Sequence, residues 1–230
     1  MSRILNLIAA PCLLIALATS ACSAQTASLS SRVKTLNAVF SDYWEDFLKH
    51  QPEFASTIGD NRYNDQLSDY SVQAYNESLN RGRGFLTRLA EVDTTGMSPQ
   101  EQLSKDLLVR SLIEDQEEAR FKPWEMPVNQ FFGLQVDLPQ LVPQLAFNSV
   151  KDYDDYIARL KKVPLAFQQT TDDMSIGLDD HREPPAYLME KVLAQVKAIA
   201  SQKPQDDPFA LPVKKFPASV SAAQQTRIKE

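Results

Sequence analysis

"SPQEQLSKDLLVRSLIEDQEEAR", residues 98–120, decides the fold class. Ser98 is placed to accept the backbone N–H three residues on, and Glu101 to reach back to the Ser98 N–H. Pro99 fits the first helical position, where a missing donor costs nothing. Leu103, Leu107, Leu108 and Leu112 then recur at helical spacing, which predicts a helix from 99 to about 120.

The same grammar extends upstream. "SSRVKTLNAVFSDYWEDFLKH" (30–50) sets Val33, Leu36, Phe40, Tyr43, Trp44 and Phe47 at three- and four-residue steps behind a serine cap. In "PEFASTIGDNRYND" (52–65), Pro52 suits the first turn of a short second helix and Gly59 the left-handed residue that ends it. The polar run after Gly59 reads as turn chemistry, because short side chains there cap orphan backbone groups. From Ser71, the residues Val72, Tyr75, Leu79, Leu86 and Leu89 keep a helical period, with a kink or break expected at Gly82 and Gly84.

Downstream, residues 121–148 hold four prolines and many large apolar residues without a clear period. They read as an ordered connection whose aromatics Trp124, Phe131 and Phe132 are expected to be buried. Ser149 caps a helix with Val150, Tyr153, Ile157 and Leu160 on one face; Pro164 kinks or restarts it towards Gly177. Pro184 and Pro185 open another helix with the stripe Leu188, Val192, Val196 and Ile199. A proline-punctuated stretch (202–217) then leads to a helix beginning after Ser221.

The chain is therefore expected to be all-α: a bundle-like set of helices over 32–230, joined by proline-rich ordered connections. Six glycines against 14 prolines agree with this, since strand-rich folds spend more glycine on tight turns. No period of 20–50 residues repeats, which argues against a solenoid.

Charge excludes one class of partner. The 24 Lys and Arg against 30 Asp and Glu give −6, and no basic stripe is present for nucleic acid.

Residues 1–24 carry one arginine, an apolar run from Ile4 to Ala18 and small residues after it, the pattern of an export signal. The run is shorter than the roughly 20 residues of a comfortable membrane span. "TSAC" (19–22) resembles a bacterial lipobox with Cys22 as the lipidated residue, although Thr19 departs from the usual leucine-like residue. Cleavage after Ala24 is the alternative. The expected location is outside the cytoplasm, either periplasmic or anchored to a membrane only through lipid on Cys22. Both cysteines, Cys12 and Cys22, fall in this segment, so the mature core is expected to hold by packing without a disulfide.

The sequence offers no catalytic, cofactor-binding or metal-binding residue. His50 and His181 each stand alone, so a histidine pair on one helix is excluded, and His181 within "DDHRE" reads as a solvated turn. "DNRYND" (60–65) lacks the glycine and final glutamate of a calcium loop. "NRGRG" (80–84) could offer amides and arginines to an anion, but it follows no strand, has no phosphate-loop lysine and reads as a surface kink; Asp152, Asp154 and Asp155 read as helix-start acids. No G-x-S-x-G elbow and no mature cysteine offers a nucleophile.

"PEFASTIGDNRYNDQLSD" (52–69), "MPVNQFFGLQVDLPQL" (126–141), "SVKDYDDYIARLKKVP" (149–164) and "PPAYLMEKVLAQV" (184–196), in that order, resemble the N-terminal half of the "domain of unknown function 885" family of exported bacterial proteins. The resemblance implies part of a larger, helical, zincin-like fold. It also implies a zinc-dependent, peptidase-like hydrolase whose His-Glu and Gly-His-His motif lies in a C-terminal half not contained in this sequence. None of the family's metal or catalytic positions maps onto a residue here. The expectation is therefore a region that shapes a cleft, inactive by itself, with zinc expected only if that second half exists and a peptide as the substrate of the whole protein. The alternative is a stand-alone helical lipoprotein that binds a partner or ligand.

Overall fold

In a computed structural model that describes residues 27–229, the capping box of the opening stretch forms as the spacing requires. Ser98 Oγ accepts the Glu101 N–H at 3.2 Å, and Glu101 Oε2 accepts the Ser98 N–H at 2.7 Å. Helix α4 (Pro99–Glu118) follows. Before it run α1 (Leu29–His50), α2 (Pro52–Thr57) and α3 (Val72–Ala90); after it come α5 (Leu134–Leu141), α6 (Val150–Leu160), α7 (Val163–Asp179), α8 (Ala186–Ala200) and α9 (Ala222–Lys229). Short 3-10 turns at 61–63, 119–121, 123–125, 142–144 and 208–214 link them, and the described residues contain no strand. The chain is all-α.

Helices α1, α3 and α4 form one layer. Leu36 and Val39 of α1, Leu89 of α3, Leu112 of α4, and Val92 and Met97 of the α3–α4 connection are buried together, with Val33, Phe40, Tyr43, Phe85 and Leu108 packed around them. Each fully buried side chain of this kind contributes about 1.5–3 kcal/mol. Helix α3 runs through Gly82 and Gly84 without a break. Gly82 is buried within the helix, facing Leu112 and Gln116 of α4.

Two further clusters sit downstream. Leu134, Leu138 and Ala166 join α5 to α7, with Tyr70 and Phe209 against them. Tyr153, Val220 and Ile228 join α6 to α9, with the rings of Phe147 and Phe216 packed at a tilt against Tyr153. The supposed irregular connection 121–148 thus contains α5. Its start is fixed by Asp137 Oδ2, which accepts the Gly133 N–H at 3.1 Å, in place of a hydroxyl cap. Pro164 restarts the chain as α7, and Ser149 with Asp152 closes a second capping box at α6.

Several side chains face opposite to expectation. Phe131 is 79% exposed and Phe132 is also exposed, although Trp124 is half-buried against Tyr75. Leu103 and Leu107 of α4 point to solvent while Leu108 and Leu112 point inward, because the apolar residues of α4 circle the helix and only one side meets α1 and α3. Trp44 is exposed on α1, stacked on Phe47. No helix among the described residues is long and apolar enough to cross a membrane.

Candidate functional site

The turn after α2 wraps a cation. Arg159, 2% exposed on α6, donates from Nε to the Gln66 carbonyl at 2.6 Å. From Nη2 it donates to Ser56 Oγ at 2.7 Å and to the carbonyls of Tyr63 at 3.0 Å and Pro52 at 3.3 Å. Ser56 Oγ in turn donates to Asn64 Oδ1 at 2.6 Å. Gly59, at φ +86°, supplies the left-handed step that turns the chain into this ring of acceptors. The composition of 52–65 is thus that of an anchor. Burial pushes the Arg159 guanidinium below its ordinary range, with Glu53 and Asp65 opposing that.

A second anchor fixes the 123–125 turn to α7. The Glu125 carboxylate is fully buried, within 2.9 Å of Lys122 Nζ and 2.5 Å of Arg182 Nε. Lys122 also pairs with Asp180, and Arg182 donates to the Phe121 carbonyl. At Gly177 a Cβ would overlap the Glu125 carbonyl oxygen, so only glycine lets the two backbones meet.

Between these anchors lies a cleft of about 720 Å³. Its walls are the end of α1 with Lys49 and His50, the segment 66–71, the inward side of α3 with Tyr75, Ser78 and Arg81, the Pro123–Trp124 turn, and Thr170 and Asp173 of α7. A lobe of about 450 Å³ between α1, α3 and α4 adjoins it and shares His50, Tyr75, Ser78, Arg81 and Pro123 with it. Tyr75 and Trp124 pack with tilted rings, their centroids 4.7 Å apart. Arg81 Nε donates to Asp46 Oδ2 at 3.1 Å on the shared wall, and His50 Nδ1 lies 2.8 Å from the Asp46 carbonyl.

The cleft's acids differ in their surroundings. Asp173 is 4% exposed and has no ion-pair partner among the described residues. Burial pushes its carboxyl up to about 6, the Val72 N–H opposing and Asp172 and Asp69 adding to the rise. Burial first, then Glu118 and Glu114, raises Asp115 in the neighbouring lobe. Tyr70 is pushed up by burial and by Glu53, which accepts its hydroxyl at 3.3 Å.

Of the residues singled out in the sequence, His50 lines the cleft and His181 occupies an exposed turn at φ +55°. Asp60 caps the 61–63 turn and Arg62 pairs with Asp60 and Glu45. Arg81 and Arg83 of "NRGRG" are spent on Asp46, Asn80 and Gln116. Asp152 caps α6, while Asp154 and Asp155 pair with Arg227 and Lys151. Cys22, the lipidation candidate, lies outside the described residues. No group of three or more His, Cys, Asp or Glu among the described residues is placed to hold a metal ion.

Sequence reading missed Asp173, Arg159 and Glu125. A signal existed for the first: Ala166, Thr170, Asp173 and Gly177 form one helical stripe of α7, and all four are buried. Arg159 follows Tyr153 and Tyr156 at three-residue steps, on the buried side of α6. For Glu125 the sequence carries no such signal.

No curated protein matches the chain. The family model described as "Bacterial protein of unknown function (DUF885)" matches residues 52–230, which takes in both anchors, every element from α2 onward and the larger cleft apart from its wall at Lys49, His50 and Gln51. With 52–230 accounted for in this way, the chain belongs to the DUF885 family of bacterial proteins.

Proposed function

We propose that this chain is the helical portion of an exported, zinc-dependent hydrolase of the peptidase type, and that its role is to shape and present the cleft in which a peptide is held. The observation that carries the reading is the cleft itself. At about 720 Å³, with an adjoining lobe of about 450 Å³, it falls in the range of ligand-binding sites. Proline and aromatic walls at Pro52, Tyr75, Pro123, Trp124 and Pro127 keep it open at little entropic cost.

Zinc does not fit the donors of this cleft. His50 is its one imidazole, with Nδ1 held at the Asp46 carbonyl, and the acids line separate walls. The cleft is accordingly assigned binding and positioning, and bond cleavage is assigned to groups that these residues do not include.

The test is hydrolysis of a quenched-fluorescence peptide library by the protein made from its complete natural coding sequence, with zinc supplied. Ser78 is exposed and faces both lobes. Ser78→Trp is expected to raise KM about tenfold or more while kcat is kept, as loss of uniform binding requires. No cleavage of any peptide overturns the reading, and so does an unchanged KM.

A further inference from the structure

The cleft and its lobe together are lined by six carboxylates, Asp46, Asp69, Glu77, Asp115, Glu118 and Asp173, against two permanent cations, Lys49 and Arg81. Arg81 is already engaged with Asp46. Such an imbalance between low-dielectric walls focuses a negative potential into the cavity.

Burial separates Asp173 from an ordinary surface acid. A carboxylate this enclosed is costly unless paired, and among the described residues no cation pairs with it. The Val72 N–H, at the first residue of α3, favours its charged form. Its remaining acceptor capacity belongs to a residue that lines the cleft. Aromatic surface completes the environment: Tyr75 and Trp124 flank the larger space, while Tyr43, Phe47 and Phe85 line the lobe. Rings together with carboxylates favour a cation over a neutral or anionic group.

The acids also have a spacing. Asp173 lines the cleft together with Ser71 and Ala74 at the start of α3, whereas Asp46 meets the same helix at Arg81, seven to ten residues on. At a rise of about 1.5 Å per residue, these points are roughly 13 Å apart along α3. Two basic side chains two or three residues apart in an extended peptide reach that far, since each residue advances about 3.3 Å before the side chains are added.

We propose that the two-lobed cleft recognises the positively charged side chains of a basic peptide, with Asp173 as the buried counter-ion at one end and the Asp46, Asp115 and Glu118 group at the other. This rests on the reading of the cleft as a peptide-holding site and adds the class of peptide. Asp173 here is a binding residue, and no covalent step is assigned to it.

Trp124 lies in the cleft and reports on it. In a Trp44→Phe background it is the single tryptophan, and titration with trilysine at neutral pH is expected to shift its emission. Trilysine should bind at least about tenfold more tightly than triglycine, and triglutamate should not compete. Asp173→Asn is expected to weaken trilysine about tenfold with the helical circular dichroism unchanged. Asp115→Asn with Glu118→Gln, both exposed positions, provides a second loss that does not depend on the core tolerating a change at 173. Equal binding of triglutamate overturns the proposal, as does trilysine affinity indifferent to both sets of variants, which would leave Asp173 as an anchor for α3 alone. Trilysine binding without hydrolysis of any peptide by the natural full-length protein sustains this site and removes the hydrolase reading. Hydrolysis of neutral peptides without trilysine binding does the reverse.

Discussion

The layer of α1, α3 and α4 and the stretch from residue 121 to 182 are both helical, yet they are held in different ways. The first is a leucine and valine interior under helices 19 to 22 residues long. The second adds to smaller apolar clusters, at Leu134, Leu138 and Ala166 and around Tyr153, two buried ions: Arg159 in a ring of carbonyls and Glu125 between Lys122 and Arg182. Packing energy is spread over many interchangeable contacts, whereas a buried ion concentrates dependence in one residue whose loss strands its partners.

The contrast is sharpest at Arg159. Arg159→Met should cost about 3–5 kcal/mol, because the part-buried Gln66 carbonyl would lose its donor while Ser56 Oγ and the Tyr63 and Pro52 carbonyls would each lose one of their hydrogen bonds. Urea denaturation followed by circular dichroism gives the value, and a cost below 1 kcal/mol would dissolve the distinction between the two regions. Leu89→Ala, in the apolar layer, should cost about 3 kcal/mol through lost burial and the cavity left behind, without altering trypsin cleavage at Arg62.

Asp173 gives a smaller effect with a definite sign. Its carboxyl titrates near 6 when folded against 3.8 ordinarily, so the folded state holds the extra proton between those values. Stability therefore falls as pH rises from about 4 through 6 and stays lower above. Asp173→Asn should remove that slope and raise stability at pH 7.5 by about 1 kcal/mol, less than the full titration difference because water reaches the group from the cleft. Thermal melts at pH 4.5 and 7.5 decide it; an unchanged slope rejects the carboxyl as its source. Ser98→Ala should cost about 1 kcal/mol by opening the α4 capping box, the size expected of a solvent-facing cap.

The same contrast explains what could be read from the sequence. Ser98, Pro99 and Glu101, Ser149 and Asp152, and the Pro164 restart are local devices, and their spacing alone predicts the helices they begin. Which side of α4 turns inward was not legible, since Leu103, Leu107, Leu108 and Leu112 leave two faces apolar and only the positions of α1 and α3 choose between them. Arg159 lies in "ARLKK", a string that by composition belongs on a surface; its burial depends on carbonyls far upstream. The cleft was illegible for a related reason, because His50, Tyr75, Trp124 and Asp173 come from four separate segments.

Arg159 also sets an order of events during synthesis. The groups it satisfies lie 93 to 107 residues upstream. At about 5–20 residues per second, the 52–66 segment emerges some 5–20 s before the guanidinium arrives. Helices α1, α3 and α4 all precede residue 119 and can pair in that interval, with the intervening flap still solvated. Ribosome-stalled chains exposing residues up to 118 should therefore be cut rapidly by trypsin at Arg62, while those exposing residues up to 160 should be protected; equal cutting would show that the flap closes without its cation. One downstream residue thus acts as the latch for a layer made long before it.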